Sequence, residues 1–173
     1  MCCCSFVCLV DLVTVIFFSV HAATSVLIDA QALLPAESFP PWAVELLRGY
    51  LEKSGDPLMS HTPVWFKSMV FSELAFQVPF FIVAVFAMLA RKEWIRIPCI
   101  IYGAHTVTTM IPILYSLISP ALEGPVEYDL PYLMQNYVPF AVMPAVIMIR
   151  WCFGGKPFGG RSKSSYRRGQ KLD

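Results

Sequence analysis

Charge is scarce in this chain. Lys, Arg, Asp and Glu together supply only 14% of its 173 residues, where soluble domains run near a quarter. Set against 57% hydrophobic residues, that shortage excludes an ordinary soluble globule and makes this a membrane protein. The net charge of +1 points to no polyanionic partner, nucleic acid included. No Lys or Arg precedes the first apolar run, and the run is longer than the roughly 7–15 residues of a signal-peptide core. It therefore reads as a retained transmembrane helix. Internal repeats are absent. The six cysteines, at positions 2, 3, 4, 8, 99 and 152, form no disulfide framework, and no Cys/His spacing matches a zinc site. Neither metal nor cofactor is expected.

What is present is four apolar runs, each long enough to cross a bilayer at about 20 residues per span. The spacing predicts an all-α, four-transmembrane-helix bundle, with helices over about 9–34, 67–90, 96–118 and 131–151. Together they make one membrane domain over residues 1–153, followed by a basic cytosolic tail over 154–173. Pro35, Pro40 and Pro41 break the first helix. Trp42 to Leu51 then has the spacing of a short amphipathic helix lying at the interface, with Trp42 and Tyr50 at headgroup level. Lys and Arg gather in the loop between helices two and three (Arg91, Lys92, Arg96) and in the tail, while the connection after helix three carries only Glu123, Glu127 and Asp129. The positive-inside rule then puts both termini in the cytosol. Cys2, Cys3 and Cys4 sit at the cytosolic end, where palmitoylation is chemically open to them, and the tail suits anionic lipid.

Polar residues inside the spans carry the functional signal, because a carboxyl in hydrocarbon costs several kcal/mol unless it faces protein or a cavity. At 1.5 Å per residue, Asp29, Glu73 and Tyr137 each lie roughly 9 Å below the luminal helix ends, and Thr109 lies at roughly 15 Å. Four helices thus offer polar groups at overlapping depths, which predicts a common pocket. Ser25 and His21 flank Asp29 along helix one. Gln77, Phe76 and Phe80 share a face with Glu73, Phe140 follows Tyr137, and His105 is one turn from Thr109. Pro79, Pro112, Pro139 and Pro144 lie within helices and bend them, which favours an enclosed cavity over solid packing.

Two carboxyls at one depth in a low-dielectric site cannot both ionise when close, so the pair is expected to hold one proton between them. Such a pair suits a single ammonium group, with aromatic faces adding cation–π attraction. It also suits a general acid and base acting on an apolar substrate. Transport and plain helix-to-helix hydrogen bonding are the other readings. Transport would need a polar route onward to the cytosolic side, and helix two offers only Phe81, Ile82, Val83 and Val85 there. A closed-ended pocket fits better.

Several segments narrow the choice: Asp29-Ala30-Gln31-Ala32-Leu33-Leu34-Pro35, Asp56-Pro57-Leu58, Trp65-Phe66-Lys67-Ser68, Glu73-Leu74-Ala75-Phe76-Gln77-Val78-Pro79-Phe80-Phe81, Trp94-Ile95-Arg96 and the run from His105 to Leu114. In this order they resemble the sigma-2 receptor family, within the EXPERA group of four-helix membrane proteins that also holds the emopamil-binding sterol isomerases. The resemblance covers about residues 20–150. It implies a multi-pass protein of the endoplasmic reticulum membrane (rough reticulum and nuclear envelope, with lysosome and plasma membrane as further places). It implies a non-enzymatic receptor for sterols or oxysterols and cationic amphiphilic molecules, acting in cholesterol homeostasis and trafficking. Asp29 matches the amine-binding acid, Glu73 its protonated partner and Asp56 the acid supporting the first. His21, Met59, Gln77, Thr109 and Tyr137 match pocket-lining positions. Phe140 stands where the family usually has Tyr, which removes a hydroxyl. The implied partners are membrane lipids, a lysosomal cholesterol transporter of the Niemann-Pick type, lipoprotein-receptor complexes and a second copy of the chain. The related isomerases pair a His with a Glu one turn later. Here the residues four positions after His21, His61 and His105 are Ser25, Trp65 and Thr109, so sterol isomerisation is the alternative rather than the first reading.

Overall fold

A computed structural model describes residues 2–154, with side chains from Leu9 onward. The tail beyond Gly154 and the side chains of Cys2–Cys4, for which lipid contacts are expected, lie outside the described residues. Helix α1 (Cys2–Leu27) gives way to a tight 3-10 turn over Asp29–Ala32 and a second over Ala36–Ser38. Helix α2 (Pro41–Ser54) starts on Pro40-Pro41 and stops at Gly55, whose φ of +64° suits a residue without Cβ. A Cβ there would also meet the Glu127 carbonyl at 3.0 Å. The short α3 (Pro57–His61) is capped by Asp56, whose Oδ1 accepts from the Leu58 and Met59 amides at 2.8 and 3.2 Å.

The second long rod is built from α4 (Val64–Ser72), a π-turn over Glu73–Gln77 and α5 (Val78–Leu89). Pro79 is the cause of the π-turn: it has no N–H for the Ala75 carbonyl, and its ring crowds that oxygen. The chain widens by one residue, and the Val78 amide reaches back to Glu73 O. After a 3-10 turn at Glu93–Ile95 come α6 (Arg96–Glu123) and α7 (Leu130–Phe153). Four stretches are long and apolar enough to span a membrane: Leu9–Ala32, Val64–Leu89, Glu93–Glu123 and Leu130–Phe153. They differ from the expected bounds mainly in three places. The first loses its α form at Leu27, the second begins directly after Pro63, and the third runs on past Pro120. A proline removes one hydrogen bond but does not end a helix whose last turn is held, as here by the buried Leu117 and a bond from the Tyr128 hydroxyl to its carbonyl at 2.7 Å.

Helix α1 packs along α5, and α6 packs along α7. Gly103 lets the second pair close up, since a Cβ there would sit 2.6 Å from the Pro144 carbonyl. Two apolar clusters result. One joins Phe18, Phe81, Cys99, Tyr102, Ile147 and Trp151. The other joins Leu58, Met59, Phe66, Met110, Leu117 and Leu133 beneath α2 and α3. Between them runs a polar layer of His21, Ser25, Glu73, Gln77 and Thr106. Beyond the first cluster Arg150 pairs with Asp11 at 3.1 Å, and Arg96 donates to the Trp151 and Cys152 carbonyls at 2.8 and 3.1 Å, a cation placed on a helix C-terminus. The outer faces carry Phe71, Phe86, Ile97, Ile101, Ile111 and Tyr115 exposed, as expected where lipid rather than water is the solvent.

Candidate ligand-binding cavity

The helices border a partly open cavity of about 830 Å³, with the polar layer as one of its walls. This is within the roughly 300–1,000 Å³ typical of sites for drug-sized molecules. Its walls are mostly apolar, with Ile28, Leu47, Met59, Phe66, Val70, Met110 and Ile113 among them. Asp29 reaches it from the 3-10 turn that ends the first span. Unwinding the helix there brings a half-buried carboxyl group to the cavity edge. It stands within electrostatic reach of Glu73 and Asp56, and no hydrogen-bond donor among the described residues touches it.

Glu73 enters from the π-turn. Its Oε1 lies 2.9 Å from His21 Nε2 and 2.5 Å from Ser25 Oγ, both on α1. The His21 ring is boxed by Phe17, Phe81 and Phe140 at centroid distances of 5.2, 4.7 and 4.6 Å. Gln77, one π-turn on, accepts from the Thr106 hydroxyl at 3.3 Å, which leaves its amide NH2 for the cavity. Thr109 donates back to the Thr106 carbonyl at 3.0 Å.

Asp56 is fully buried and sits behind the wall. Its Oδ2 accepts from Tyr50 at 2.8 Å and Tyr137 at 2.7 Å, while Oδ1 holds the two α3 amides. Four donors to one carboxylate satisfy it completely. Burial, and next the nearby Asp56 charge, raise the Tyr50 pKa, so its hydroxyl stays a donor. Among the described residues no group of three His, Cys, Asp or Glu is placed to hold a metal.

The structure therefore brings Asp29, Glu73, His21, Met59, Gln77, Thr109, Tyr137 and Phe140 to one cavity. Asp56 does not line it; it contacts Tyr50 and Tyr137 instead of bonding to Asp29. Three neighbours named from helical spacing fall elsewhere, one of them Phe80, which packs against Phe18 and Tyr102 in the first apolar cluster. His105 is exposed on the outer face of α6, with Thr106 in its place inside. Phe76 is 70% exposed because the π-turn swings it outward. Tyr50, on α2, lines the cavity and donates to Asp56. Missed by the sequence reading was the covering role of α2, whose Trp42, Glu45, Leu46, Leu47, Gly49 and Tyr50 line the mouth. The apolar positions Leu46, Leu47 and Tyr50 share one face, a signal for covering protein that was equally readable as lipid contact.

This arrangement offers a carboxyl group with no protein hydrogen-bond partner among the described residues, a His–Glu pair and an amide donor within a mostly apolar cavity. It can hold an amphiphile with one cationic end, or move a proton on an apolar substrate. A family model described as EXPERA (EXPanded EBP superfamily) matches residues 42–151. The chain is 37% identical over 144 residues to Sigma intracellular receptor 2 of Macaca fascicularis, covering 78% of this chain and 82% of that protein. It is 36% identical over 144 residues to the Homo sapiens protein of the same name, with the same coverage. The Xenopus tropicalis protein is 35% identical, covering 79% of this chain and 84% of its own length.

Proposed function

Since this chain belongs to the EXPERA family, we propose that it is an intracellular membrane receptor whose cavity binds sterols or oxysterols and cationic amphiphilic molecules of the sigma-2 type. Asp29 carries this reading: a carboxylate with no protein donor, at the edge of an apolar enclosure, is a counter-charge waiting for a ligand. An ammonium ion there gains a charge-assisted bond, and the Tyr50, Tyr137 and Phe66 rings that line the same cavity can add cation–π attraction. A sterol would fill the apolar length of the cavity and place its hydroxyl toward Gln77, Thr109 or Glu73. The protein would reside in the endoplasmic reticulum with both termini cytosolic and act in cholesterol homeostasis, with the lysosomal and lipoprotein-receptor partners named above. Mass spectrometry of lipids copurifying with the chain tests the sterol part. Sterols enriched over the bulk membrane, and lost when Met110→Trp fills the cavity, are expected; equal enrichment in both proteins would contradict it.

One observation favours sterol isomerisation as a second reading. The His–Glu pair that no single helix supplies is formed between α1 and the second span, at 2.9 Å, within reach for general acid–base work. Expression in cells lacking sterol isomerase separates the two. A receptor leaves the sterol profile unchanged, whereas an isomerase restores the missing product and loses it with Glu73→Gln.

A further inference from the structure

Helix α2 forms the roof of the cavity, yet of its 14 residues only Ala43 and Ser54, one near each end, are buried. The stretch between them spans a hollow, which Leu46, Leu47, Gly49 and Tyr50 line. With so little packed beneath its middle, such a helix depends on its ends. Those ends are held unequally. At the C-terminal end the Ser54 carbonyl accepts from the Asp129 amide at 3.0 Å and the Ser54 hydroxyl oxygen accepts from the Asp56 amide at 3.1 Å. The Lys53 ammonium also lies 4.2 Å from the Tyr132 ring centroid. At the N-terminal end, among the described residues, one side chain from outside the helix bonds to its first turn. The Gln31 amide donates to the Ala43 carbonyl at 3.2 Å.

Gln31 reaches α2 from the turn that carries Asp29. Its backbone N–H bonds to the Ile28 carbonyl, three residues back, at 3.0 Å, the 3-10 pattern. An α-helix would have given that N–H to the Leu27 carbonyl. The side-chain amide of Gln31 stands in there, donating at 2.7 Å. A primary amide has two hydrogens, and the two bonds use both. One side chain thereby caps the last residue of α1 and fastens the roof, two positions from the carboxyl group at the cavity edge. Length and donor count suit glutamine: Asn is shorter by a methylene, and an ionised Glu has no hydrogen to give.

We infer that Gln31 is the positioning residue that joins the turn presenting Asp29 to the first turn of α2, so that a ligand held at Asp29 and a closed roof stabilise each other. With Gln31 released, α2 pivots on its pinned C-terminal end and residues 42–47 leave the mouth. A cation bonded to Asp29 fixes the turn, the turn presents Gln31, and Gln31 holds the roof. Such a coupling is reciprocal. The ligand's part in it rests on the receptor reading; the tie between the turn and the roof does not.

Hydrogen–deuterium exchange of the purified full-length chain in lipid nanodiscs tests the tie without any ligand. Gln31→Met keeps the length of the side chain and removes both donors. The amides of residues 43–47 should then exchange roughly three- to tenfold faster, the worth of one neutral hydrogen bond, while those of residues 51–54 and of α6 keep their parent rates. Equal exchange at residues 43–47 in the two proteins would overturn the inference, and so would uniform acceleration through α2 and α6. The parent chain alone supplies a second test. Adding N,N-dimethyldodecylamine, an amphiphile with a single ammonium group, should slow exchange at residues 43–47 more than at 51–54, and protection confined to 51–54 would contradict the coupling. Tritiated, the same amine should leave Gln31→Met roughly three- to tenfold faster than it leaves the parent. A loosened α2 in a protein that binds no amine would uphold the tie and remove the receptor reading. Binding with an off-rate that Gln31→Met leaves unchanged would uphold the receptor and remove the coupling.

Discussion

Asp56 shows how a residue outside the cavity can shape it. Two tyrosines from two elements hang from one of its oxygens, at 2.8 and 2.7 Å, and both rings form cavity wall. Hydrogen bonds to a charged group contribute about 1.5–3 kcal/mol each, so Tyr50→Phe and Tyr137→Phe should each lower thermal stability and loosen ligand binding several-fold. Asp56→Asn should cost more than either, because the α3 cap weakens with it. Unchanged affinity in all three would separate Asp56 from the site. The raised Tyr50 pKa has a pH signature as well. A neutral hydroxyl favoured by folding contributes stability that is fully present below the ordinary tyrosine value of about 10 and declines as pH climbs above it. Denaturant midpoints measured upward from pH 9 should fall less steeply for Tyr50→Phe than for the parent. At this scale the sequence was informative where depth alone decided, as for Asp29, Glu73 and Tyr137. It was blind to Asp56's partners, because a bond across 81 residues leaves no trace in local spacing.

Among the elements, the π-turn matters most to the site. It lets Glu73 and Gln77 both face the cavity while Phe76 turns to the outside. Its origin in Pro79 predicts that Pro79→Ala, which returns the missing N–H, straightens the rod and rotates the register on one side of it by about 100°. Stability should hold or rise, since proline is the poorest helix former. Ligand affinity should drop by roughly tenfold, about 1.4 kcal/mol, as Glu73 leaves His21. Tight binding at unchanged stability would mean that the turn does not depend on Pro79. The four apolar runs were legible as helices, because length and hydropathy suffice for that. The π-turn was not: a proline in a helix signals a bend, but not whether the chain kinks or widens, and the exposed Phe76 and His105 follow from choices of that kind.

At the scale of the whole molecule, the bundle is a pair of helix pairs, sealed at one end and opened around a cavity at the other. The seal is apolar apart from Arg96 on the Trp151 and Cys152 carbonyls and the pair of Arg150 and Asp11, with side-chain exposures of 7% and 17%. Breaking a buried pair from one side costs about 3–5 kcal/mol because a charge is left alone. Arg150→Met should therefore destabilise far more than the double change Arg150→Met with Asp11→Leu, which removes both charges; equal losses in detergent melting would show that the pair is not coupled. The membrane class and the common depth of the acids could be read from composition and spacing. The closing of the mouth by α2 could not, because an amphipathic face serves a bilayer surface and a protein cavity equally well. The central claim is that Asp29 is the counter-charge of this cavity, and saturation binding of a tritiated cationic amphiphile to membranes bearing the parent chain, Asp29→Asn or Glu73→Gln tests it most directly. Losing one partner of a buried charge pair costs about 2–5 kcal/mol, so Asp29→Asn should weaken binding by roughly 30-fold or more, while Glu73→Gln should change it about tenfold or less; parent-like affinity in Asp29→Asn would contradict the account.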